Sequence, residues 1–385
     1  MIPATPPARV RTHHRDLPLR VGTRGSPLAL VQTREFLDRL RGFCPVLRDM
    51  DVFREHPIRT TGDATQASGQ RLTEIGGKGL FAKEIHEALA GGRIDFAVHS
   101  LKDLETALPA GIVLACTLRR EDARDALILR PTSPLSAEPH GTKPDRAARS
   151  HSLLPLAGLG AKTAKVGEQS SPGEGQAGGS LQGEPDDART NSTTPYDALP
   201  QGALVGTASV RRQAQLLHAR PDLRVTTLRG NVQTRLDKLV AGACDATLLA
   251  LAGLNRLGLR PTAMVVLDPE LMVPAAGQGI IGVTVRADDT ELRELLAGIE
   301  DPEANAVATA ERALLAALDG SCRTPIGGHA RVRPDGRLCL TGLVARPDGS
   351  FLLKRTMAAP AAEAVRLGAE LGAALRADSP ADLFA

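Results

Sequence analysis

The sequence predicts an α/β protein with two lobes of similar build, followed by a small α+β domain. Three observations support this fold class. Strand and helix patterns alternate over residues 19–104, the same alternation returns after residue 200, and three strand-like runs separated by Asp-Gly turns follow residue 325. Because parallel strands of such alternating units end at one edge of a sheet, we expect a cleft at the strand ends of the two lobes.

The first lobe begins with a short apolar strand over residues 19–21, which runs into a Gly-Thr-Arg-Gly turn. Ser26 and Pro27 are residue types typical of a helix N-cap and first turn, and Gly42 ends the helix that they open. A Gly-Gly-Lys-Gly segment precedes a second helix with Phe81, Ile85 and Leu89 at helical spacing. A strand over residues 94–98 then delivers His99 through Asp103 into a loop.

The second lobe repeats this order. A strand over residues 203–205 leads into a Gly-Thr-Ala-Ser turn and a helix, and a strand over 225–228 leads into Arg-Gly-Asn and another helix. Residues 91–104 align with residues 241–254 at the Gly, the Asp and the final Leu. We therefore interpret the two lobes as related α/β units.

The patterns also place a third domain over 300–385, which begins with an Ala-rich helix, and a long polar segment inside the second lobe. Residues 131–200 contain nine Gly, nine Pro and fourteen Ser or Thr, but no Ile, Phe or Met. Such a segment buries too little apolar surface to offset its ordering entropy. We predict a disordered insertion at about 134–196, inside the second lobe.

Composition excludes several classes of protein. The 47 Lys and Arg exceed the 44 Asp and Glu by only three, so a general polyanion binder is disfavoured. Aromatic residues make up 2% with no Trp, too few for a platform that stacks nucleic-acid bases. The five scattered cysteines indicate a reducing compartment and no structural metal. The absence of a long apolar run predicts a cytoplasmic protein without a membrane partner.

Basic and hydroxyl side chains recur at the predicted strand ends and helix starts. Helix N-termini offer free N–H groups, and Arg offers a planar fork for carboxylate or phosphate, so the set predicts a small, multiply charged anion as ligand. Each Arg alone also fits a solvated helix face. A DNA-binding helix-turn-helix competes for the Arg-rich stretch, but the flanking strands and low net charge count against it. The candidates are Arg24, Ser26, Lys78, Thr207, Ser209, Arg211, Arg212, Arg229 and Arg235. Within this set, adjacent Arg211 and Arg212 are expected to point in different directions on their helix.

Two further residues are candidates for chemistry. Asp103 follows a strand end and Lys102, and a carboxylate among cations can stabilise a developing positive charge or exchange a proton with a leaving amine. It is also a good cap for the next turn. Cys322 lies in a Gly-Ser-Cys turn beside Arg323, where an accessible thiol suits covalent attachment, although lone cysteines are commonly inert. We interpret His99 as a hydrogen-bonded strand-end residue, since no nucleophile motif accompanies it.

Taken in order, the loop segments resemble the hydroxymethylbilane synthase, or porphobilinogen deaminase, family. The resemblance covers nearly the whole chain outside the insertion and the N-terminal tail. Its segments are GTRGSPLAL (22–30), GGKGLFAKE (76–84), VHSLKD (98–103), REDARDA (120–126), VGTASVRRQ (205–213), LRGNVQTRL (228–236), LAGLNRLGL (251–259), PAAGQGIIG (274–282) and GSCRTPIGG (320–328).

The resemblance implies two periplasmic-binding-protein-like lobes around a cleft and a third domain that carries a covalent dipyrromethane cofactor on Cys322. Enzymes of the family are transferases that condense four porphobilinogen molecules head to tail, releasing ammonia each time, and free the linear tetrapyrrole by hydrolysis. Porphobilinogen is then the small-molecule substrate, the protein is a monomer, and no nucleic acid, membrane or metal is involved. The alternative is a non-enzymatic two-lobed protein that binds a small polyanion.

By position, the catalytic aspartate of the family falls on Asp103. The family's anion-binding positions fall on Arg24, Ser26, Lys78, Ser100, Lys102, Thr207, Ser209, Arg211, Arg212, Arg229, Arg235 and Arg256. The loop around Gln278 is expected to be the hinge at which the chain returns to the first lobe. The resemblance therefore implies a first lobe over 17–118 and 278–299, a second lobe over 119–277 and a third domain over 300–385. Two positions depart from the family pattern: Glu105 replaces its usual Pro, adding a negative charge near the site, and Ala208 replaces the commoner Ser.

Overall fold

Three β-sheets organise the part of the chain that this computed structural model describes, which is residues 17–44, 47–48, 51–64, 79–131, 194–318 and 324–384. The strands in those residues are β1 (Leu19–Arg24), β2 (Phe53–Ile58), β3 (Phe96–Ser100), β4 (Ile112–Thr117), β5 (Asp125–Leu129), β6 (Leu204–Gly206), β7 (Arg224–Thr226), β8 (Ala246–Ala250), β9 (Met264–Val266), β10 (Ile281–Arg286), β11 (Ile326–Val332), β12 (Arg337–Ala345) and β13 (Leu352–Pro360). The helices are α1 (Pro27–Phe43), α2 (Thr61–Ala64), α3 (Lys83–Ala90), α4 (Val210–Ala219), α5 (Val232–Val240), α6 (Leu251–Arg256), α7 (Thr290–Ala297), α8 (Pro302–Ala317) and α9 (Ala364–Ala377).

The first two sheets share one topology. Their strand orders are β2-β1-β3-β10-β4 and β7-β6-β8-β5-β9. In each, the first three strands run parallel, and the fourth is antiparallel to both of its neighbours. The aligned segments 91–104 and 241–254 contain β3 and β8, which occupy the same position in their sheets. The predicted fold class, two α/β lobes and a small third domain, is confirmed.

The chain crosses between the two lobes twice. Strand β5 follows β4 in sequence but lies in the second sheet, and β10 follows β9 but lies in the first sheet. Gln278 in the second crossing is buried. Its Nε2 donates to the Ala123 carbonyl in the first crossing and to Asp125 Oδ1 at the start of β5, both at 2.7 Å. The loop predicted to be a hinge therefore joins the two crossings to each other.

Local sequence signals determine where the helices begin. The hydroxyl of Ser26 accepts from the Ala29 amide at 3.3 Å, and Pro27 occupies the first turn of α1, as predicted. A cap of this kind contributes about 1 kcal/mol to helix stability. The apolar face of α1 then packs against β3, where the Phe36 and Phe96 ring centroids lie 5.7 Å apart. This packing fixes the start of α1 beside the end of β1.

The third domain is an antiparallel sheet, β11-β12-β13, packed against α8 and α9, as the Asp-Gly turns predict. Leu314, Leu371 and Leu375 are fully buried between the helices and this sheet. Gly342 on β12 permits this close packing, because a Cβ there would lie 2.7 Å from the Leu375 side chain. No helix in the described parts of the chain is long and apolar enough to cross a bilayer.

Three sequence-based assignments need correction. The predicted end of the insertion at 196 is wrong: Tyr196 belongs to a short 3-10 turn, Pro195–Ala198, and its side chain is 2% exposed in the core of the second lobe. A composition averaged over a long polar segment hides a single buried aromatic ring. Residues 132–193 and the N-terminal tail to residue 16 lie outside the described residues. The strand predicted over 94–98 ends at Ser100, and Phe81 lies in a turn ahead of α3.

Candidate functional site

A cleft lies beside the carboxyl ends of β1 and β3 in the first lobe. Five of the predicted site residues line it together: Arg24, Ser26, Ser100, Lys102 and Asp103. Arg24 ends β1 and Ser100 ends β3. Lys102 and Asp103 belong to the 3-10 turn Leu101–Asp103. The rest of the wall consists of Leu28, Ala29, Gln32, Phe81, Val98 and His99.

Arg24 is fixed by two carboxylates and an aromatic ring. Its guanidinium donates to Asp63 at 2.5 and 3.2 Å and to Asp103 Oδ2 at 3.4 Å, and it lies 4.2 Å from the centroid of the Phe81 ring. Burial opposes its charge, but the two carboxylates more than compensate and raise the pKa of Arg24 above its ordinary value. Arg24 is thus a permanently charged group whose orientation is set before any ligand enters.

Asp103 and Lys102 present opposite charges at neighbouring positions. The Asp103 side chain is 30% exposed, so its carboxylate is open to the cleft. Lys102 is also exposed to the cleft. The protein that surrounds its ammonium partly desolvates it and lowers its pKa to about 8, an effect that Asp103 partly offsets. Its Nζ donates to Gln278 Oε1 at 3.3 Å. The turn therefore combines an acceptor for protons or positive charge with a titratable cation.

The remaining hydroxyls at the cleft have local partners. Ser100 Oγ donates to Gln32 Oε1 at 2.8 Å, and Ser26 caps α1. His99 is buried, lies 2.9 Å from Thr284 Oγ1 through its Nε2, and has a pKa lowered to about 3, mainly by burial. His99 is a hydrogen-bonded strand residue, as the sequence predicts.

Arg211 and Arg212 do not point apart, as their adjacency on a helix predicts. Both guanidinium groups donate to Asp125, one to each carboxylate oxygen and each at 2.8 Å. The prediction was wrong because both side chains, in the first turn of α4, are long enough to reach one buried acceptor. Burial alone would raise the pKa of Asp125, but the two guanidinium groups hold it well below its usual range.

The other candidates in the second lobe are hydroxyl side chains at the start of α4 and arginines near the cleft. Thr207 Oγ1 accepts from the Ser209 amide, and Ser209 caps α4. Burial and neighbouring Arg212 and Arg229 lower the pKa of Arg235 to about 10, while the charge of Asp103 opposes that shift. Arg235 therefore lies within electrostatic reach of the catalytic candidate.

Arg256 lies between the lobes rather than on the cleft wall. Its Nε donates to Glu35 Oε2 on α1 at 3.0 Å, and its Nη2 donates to the Gly279 carbonyl at 2.9 Å. Lys78 and Cys322 lie outside the described residues, so their roles stay predictions.

Sequence reasoning missed the partners that hold the site together. Asp63 orients Arg24, Asp125 binds the arginine pair, and Gln32 and Phe81 complete the cleft wall. Asp125 lies in segment 120–126, one of those that resemble the family, and this resemblance could have identified it. Asp63 lies in a Thr-Thr-Gly-Asp sequence that reads as an ordinary turn.

Comparison with known proteins decides the family. A family model described as "Porphobilinogen deaminase, dipyromethane cofactor binding domain" matches residues 19–145 and 180–294, and "Porphobilinogen deaminase, C-terminal domain" matches residues 306–377. The chain belongs to the porphobilinogen deaminase family. The resemblance of the loop segments is thereby confirmed, and the protein is a transferase whose expected cofactor is a dipyrromethane.

The curated relatives extend over almost the whole chain. The porphobilinogen deaminase of Paracoccus denitrificans is 42% identical over 367 residues, covering 95% of this chain and 96% of the relative. That of Nitrobacter winogradskyi is 43% identical, covering 94% and 93%. The chloroplastic porphobilinogen deaminase of Oryza sativa subsp. japonica is 39% identical, covering 89% and 78%.

Solved structures give weaker likenesses. A periplasmic sulfonate-binding protein from Methylobacillus flagellatus aligns at a TM-score of 0.32 and 11% identity, over 76% of this chain and 66% of that one. The VFT2 domain of Bordetella pertussis BvgS aligns at 0.34 and 13%, over 76% and 91%. Such scores add nothing to the fold described above.

The residues present suit a dipyrromethane. Such a group carries carboxylates on acetate and propionate arms together with pyrrole N–H groups, so it needs several cationic donors and one anionic acceptor. Arg24 and Lys102 flank Asp103 in the cleft. In addition, the buried Nε of Arg212 has no hydrogen-bond partner among the described residues and is available to an acceptor.

Proposed function

We propose that the protein joins four porphobilinogen molecules head to tail onto a dipyrromethane primer held on Cys322, releases one ammonia per addition, and frees hydroxymethylbilane by hydrolysis. The observation that carries this proposal is the Asp103 carboxylate, which binds Arg24 and shares its cleft with Lys102, in a chain that matches the family over both of its domains. A binding protein for small anions would need the cations but not a carboxylate beside them.

The cations bind and orient the substrate. Porphobilinogen carries an acetate and a propionate, which Arg24 and Lys102 can receive through charge-assisted hydrogen bonds, with the hydroxyls of Ser26 and Ser100 nearby. Arg235 would contribute from the second lobe. Holding the substrate by both carboxylates places its aminomethyl carbon in one position, which is the main requirement for a reaction between two bound pyrroles.

Asp103 acts on the charge of the reacting centre. When the C–N bond of the aminomethyl group breaks and ammonia leaves, positive charge develops on the pyrrole, and a fixed carboxylate stabilises it. A C–C bond then forms to the α-carbon of the acceptor pyrrole, and the proton on that carbon is lost. Asp103, which is open to the cleft, can receive that proton.

The primer would be held by the same donors. When bound, the dipyrromethane supplies the pyrrole α-carbon to which the first substrate is joined. Arg24, Lys102, Arg212 and Arg235 are the residues that would hold its carboxylates, and Cys322 would attach it. Arg212 would offer its Nε, while its Nη1 and Nη2 stay bound to the Leu248 carbonyl and Asp125.

Two measurements test this proposal. Intact-protein mass spectrometry of active protein should show an increment equal to one dipyrromethane, and Cys322→Ser should remove it; an active but unmodified chain would reject the assignment. Asp103→Asn should lower ammonia release from porphobilinogen by about a hundredfold or more while substrate binding persists. If the unmutated protein binds porphobilinogen and releases no ammonia, the polyanion-binding alternative is correct.

We also propose a cytoplasmic monomer with the domain bounds given above, acting without nucleic acid or membrane. The scattered cysteines and the net charge of +3 support these assignments. Sedimentation velocity at assay concentration tests the monomer.

A further inference from the structure

Glu105 is a largely buried carboxylate two residues beyond Asp103. Its side chain is 12% exposed, and its Oε2 lies 3.5 Å from Nδ1 of His86, which is 3% exposed on α3. Its other oxygen, Oε1, lies so close to Gly79 that a Cβ on that glycine would collide with it. Because Gly79 has a φ of +82°, a side chain there is disfavoured by the backbone as well.

These contacts close a ring around the catalytic candidate. Asp103 binds Arg24, and Arg24 lies over the Phe81 ring. Phe81 is two residues from Gly79, which contacts Glu105. Glu105 is in turn two residues from Asp103, so the ring is closed. A ring of contacts restrains its members more strongly than an open chain does, since no member moves without its neighbours. Glu105 is the member that ties the Asp103 turn to the segment ahead of α3.

The contact between Glu105 and His86 brings together polar atoms that form no hydrogen bonds. Glu105 Oε2 and both ring nitrogens of His86 have no hydrogen-bond partner among the described residues. Burying such a group unpaired costs about 1–3 kcal/mol, so each of these atoms calls for an explanation other than packing. The His86 ring also lies near His99 on β3, at 5.7 Å between the ring centroids.

The charges around this pair come from each neighbouring element. His86 on α3 faces His99 on β3, and His99 is in turn affected by Arg24 on β1. Arg312 on α8 donates to the carbonyls of Glu105 and Thr106. Burial lowers the pKa of Arg312, and the charge of Glu105 opposes that shift. Burial lowers the pKa of His86, and Glu105 opposes that shift.

We propose that Glu105 is a positioning residue: its charge, acting on His86, and its contact with Gly79 hold the Asp103 carboxylate in register with Arg24. This inference rests on the catalytic role proposed for Asp103. Glu105 itself does not line the cleft, so it acts through its neighbours and not on the substrate.

The test separates charge from shape. Glu105→Gln keeps the size of the side chain and removes its charge; we expect kcat to fall about five- to tenfold with KM within about twofold, since small displacements of a reacting group lower kcat. Glu105→Asp, which keeps the charge, should recover part of kcat. The control is Glu87→Gln, an exposed carboxylate one residue from His86 on the same helix, which should leave both constants unchanged.

A second readout does not use activity. The pKa of His86, followed by NMR of its ring in the full-length protein, should fall in Glu105→Gln because the charge that raises it is gone, and should not change in Glu87→Gln. An unchanged His86 pKa together with an unchanged kcat in Glu105→Gln overturns the inference. If Asp103→Asn retains turnover, the proposed function fails whichever result the His86 titration gives.

A double-mutant cycle guards against misfolding of a single variant. His86→Asn should lower kcat by a similar factor, and Glu105→Gln with His86→Asn should cost little more than either change alone, because both remove one interaction. Strictly additive effects would show that the two residues act independently and would also overturn the inference.

Discussion

Arg120 and Glu311 form a buried ion pair, with Arg120 Nη1 2.7 Å from Glu311 Oε1. Arg120 lies in the first crossing between the lobes, and Glu311 lies on α8 of the third domain. Glu311 also accepts from the Gly277 and Ala330 amides at 2.6 Å, so one carboxylate joins both crossings to the third domain. The orientation of the third domain therefore depends on this pair.

Removing one partner of this pair should be costly. Arg120→Ala leaves the fully buried Glu311 carboxylate without its counter-charge, and we expect a loss of about 3–5 kcal/mol in the free energy of unfolding. Urea denaturation followed by circular dichroism measures it. Arg124→Ala is the matched control, because Arg124 is 45% exposed in its pair with Asp122 and should contribute about 0–1 kcal/mol. Equal losses in the two variants would contradict the role given to Arg120.

Asp125→Asn should destabilise the second lobe by about 3–5 kcal/mol, since two buried guanidinium groups then share no counter-charge. The effect should depend on pH. The folded-state pKa of Asp125 is depressed below its ordinary value of 3.8, so its contribution to stability is present above that pH and is lost as the pH falls below it. At about pH 3 the unfolded chain is already partly protonated at this position, whereas the folded carboxylate is still ionised. The urea midpoints of the two proteins should therefore differ at both about pH 7 and about pH 3, with a smaller gap at the lower pH, and should converge only once the pH falls through the depressed folded-state pKa. A gap that stays constant across this range would show that the Asp125 charge is not what stabilises the lobe.

The fold was largely predictable because its signals are local. Ser26 and Pro27 specify the start of α1, and the shared pattern of 91–104 and 241–254 specifies two related sheets. The exchange of β5 and β10 between lobes was not specified locally. Both are short apolar runs, and nothing within either run says which sheet it joins.

The site was predictable as a set of charges but not as a set of pairs. Arg211 and Arg212 were identified as anion-binding candidates, yet the helical pattern gave no sign that Asp125, 86 residues before Arg211, would bind both. Arg256 likewise reads as a cleft cation and lies in a contact between lobes instead. Long flexible side chains reach partners that lie far away in sequence, and spacing along one helix does not report them.

Tyr196 should be the first residue after the insertion that matters for stability. Tyr196→Ala empties a fully buried position and should cost about 3–5 kcal/mol, whereas Tyr196→Phe keeps the ring and loses only a long hydrogen bond of 3.4 Å to the Leu271 carbonyl. Thermal denaturation of the two variants separates the contribution of the ring from that of the hydroxyl.

A deletion of residues 136–193 that retains Tyr196 is expected to keep activity. Loss of activity in this variant would show that the removed segment is required for folding or turnover.

Lys102 should make substrate affinity depend on pH. Its pKa is lowered to about 8, chiefly by partial desolvation of the ammonium, with Arg211 and Arg212 adding to the shift and Asp103 and Asp125 opposing it. Lysine is charged below its pKa, so the ammonium should bind a substrate carboxylate at pH 7 and lose that interaction as the pH rises above about 8. Since a hydrogen bond to a charged group contributes about 1.5–3 kcal/mol, KM for porphobilinogen should rise about tenfold between pH 7 and 9.5. Lys102→Arg keeps its charge over this range and should show a much flatter KM, while Lys102→Gln should show a high KM at both ends. Because substrate ionisation is common to all three proteins, parallel profiles for the wild type and Lys102→Arg would show that Lys102 does not bind the substrate as an ammonium.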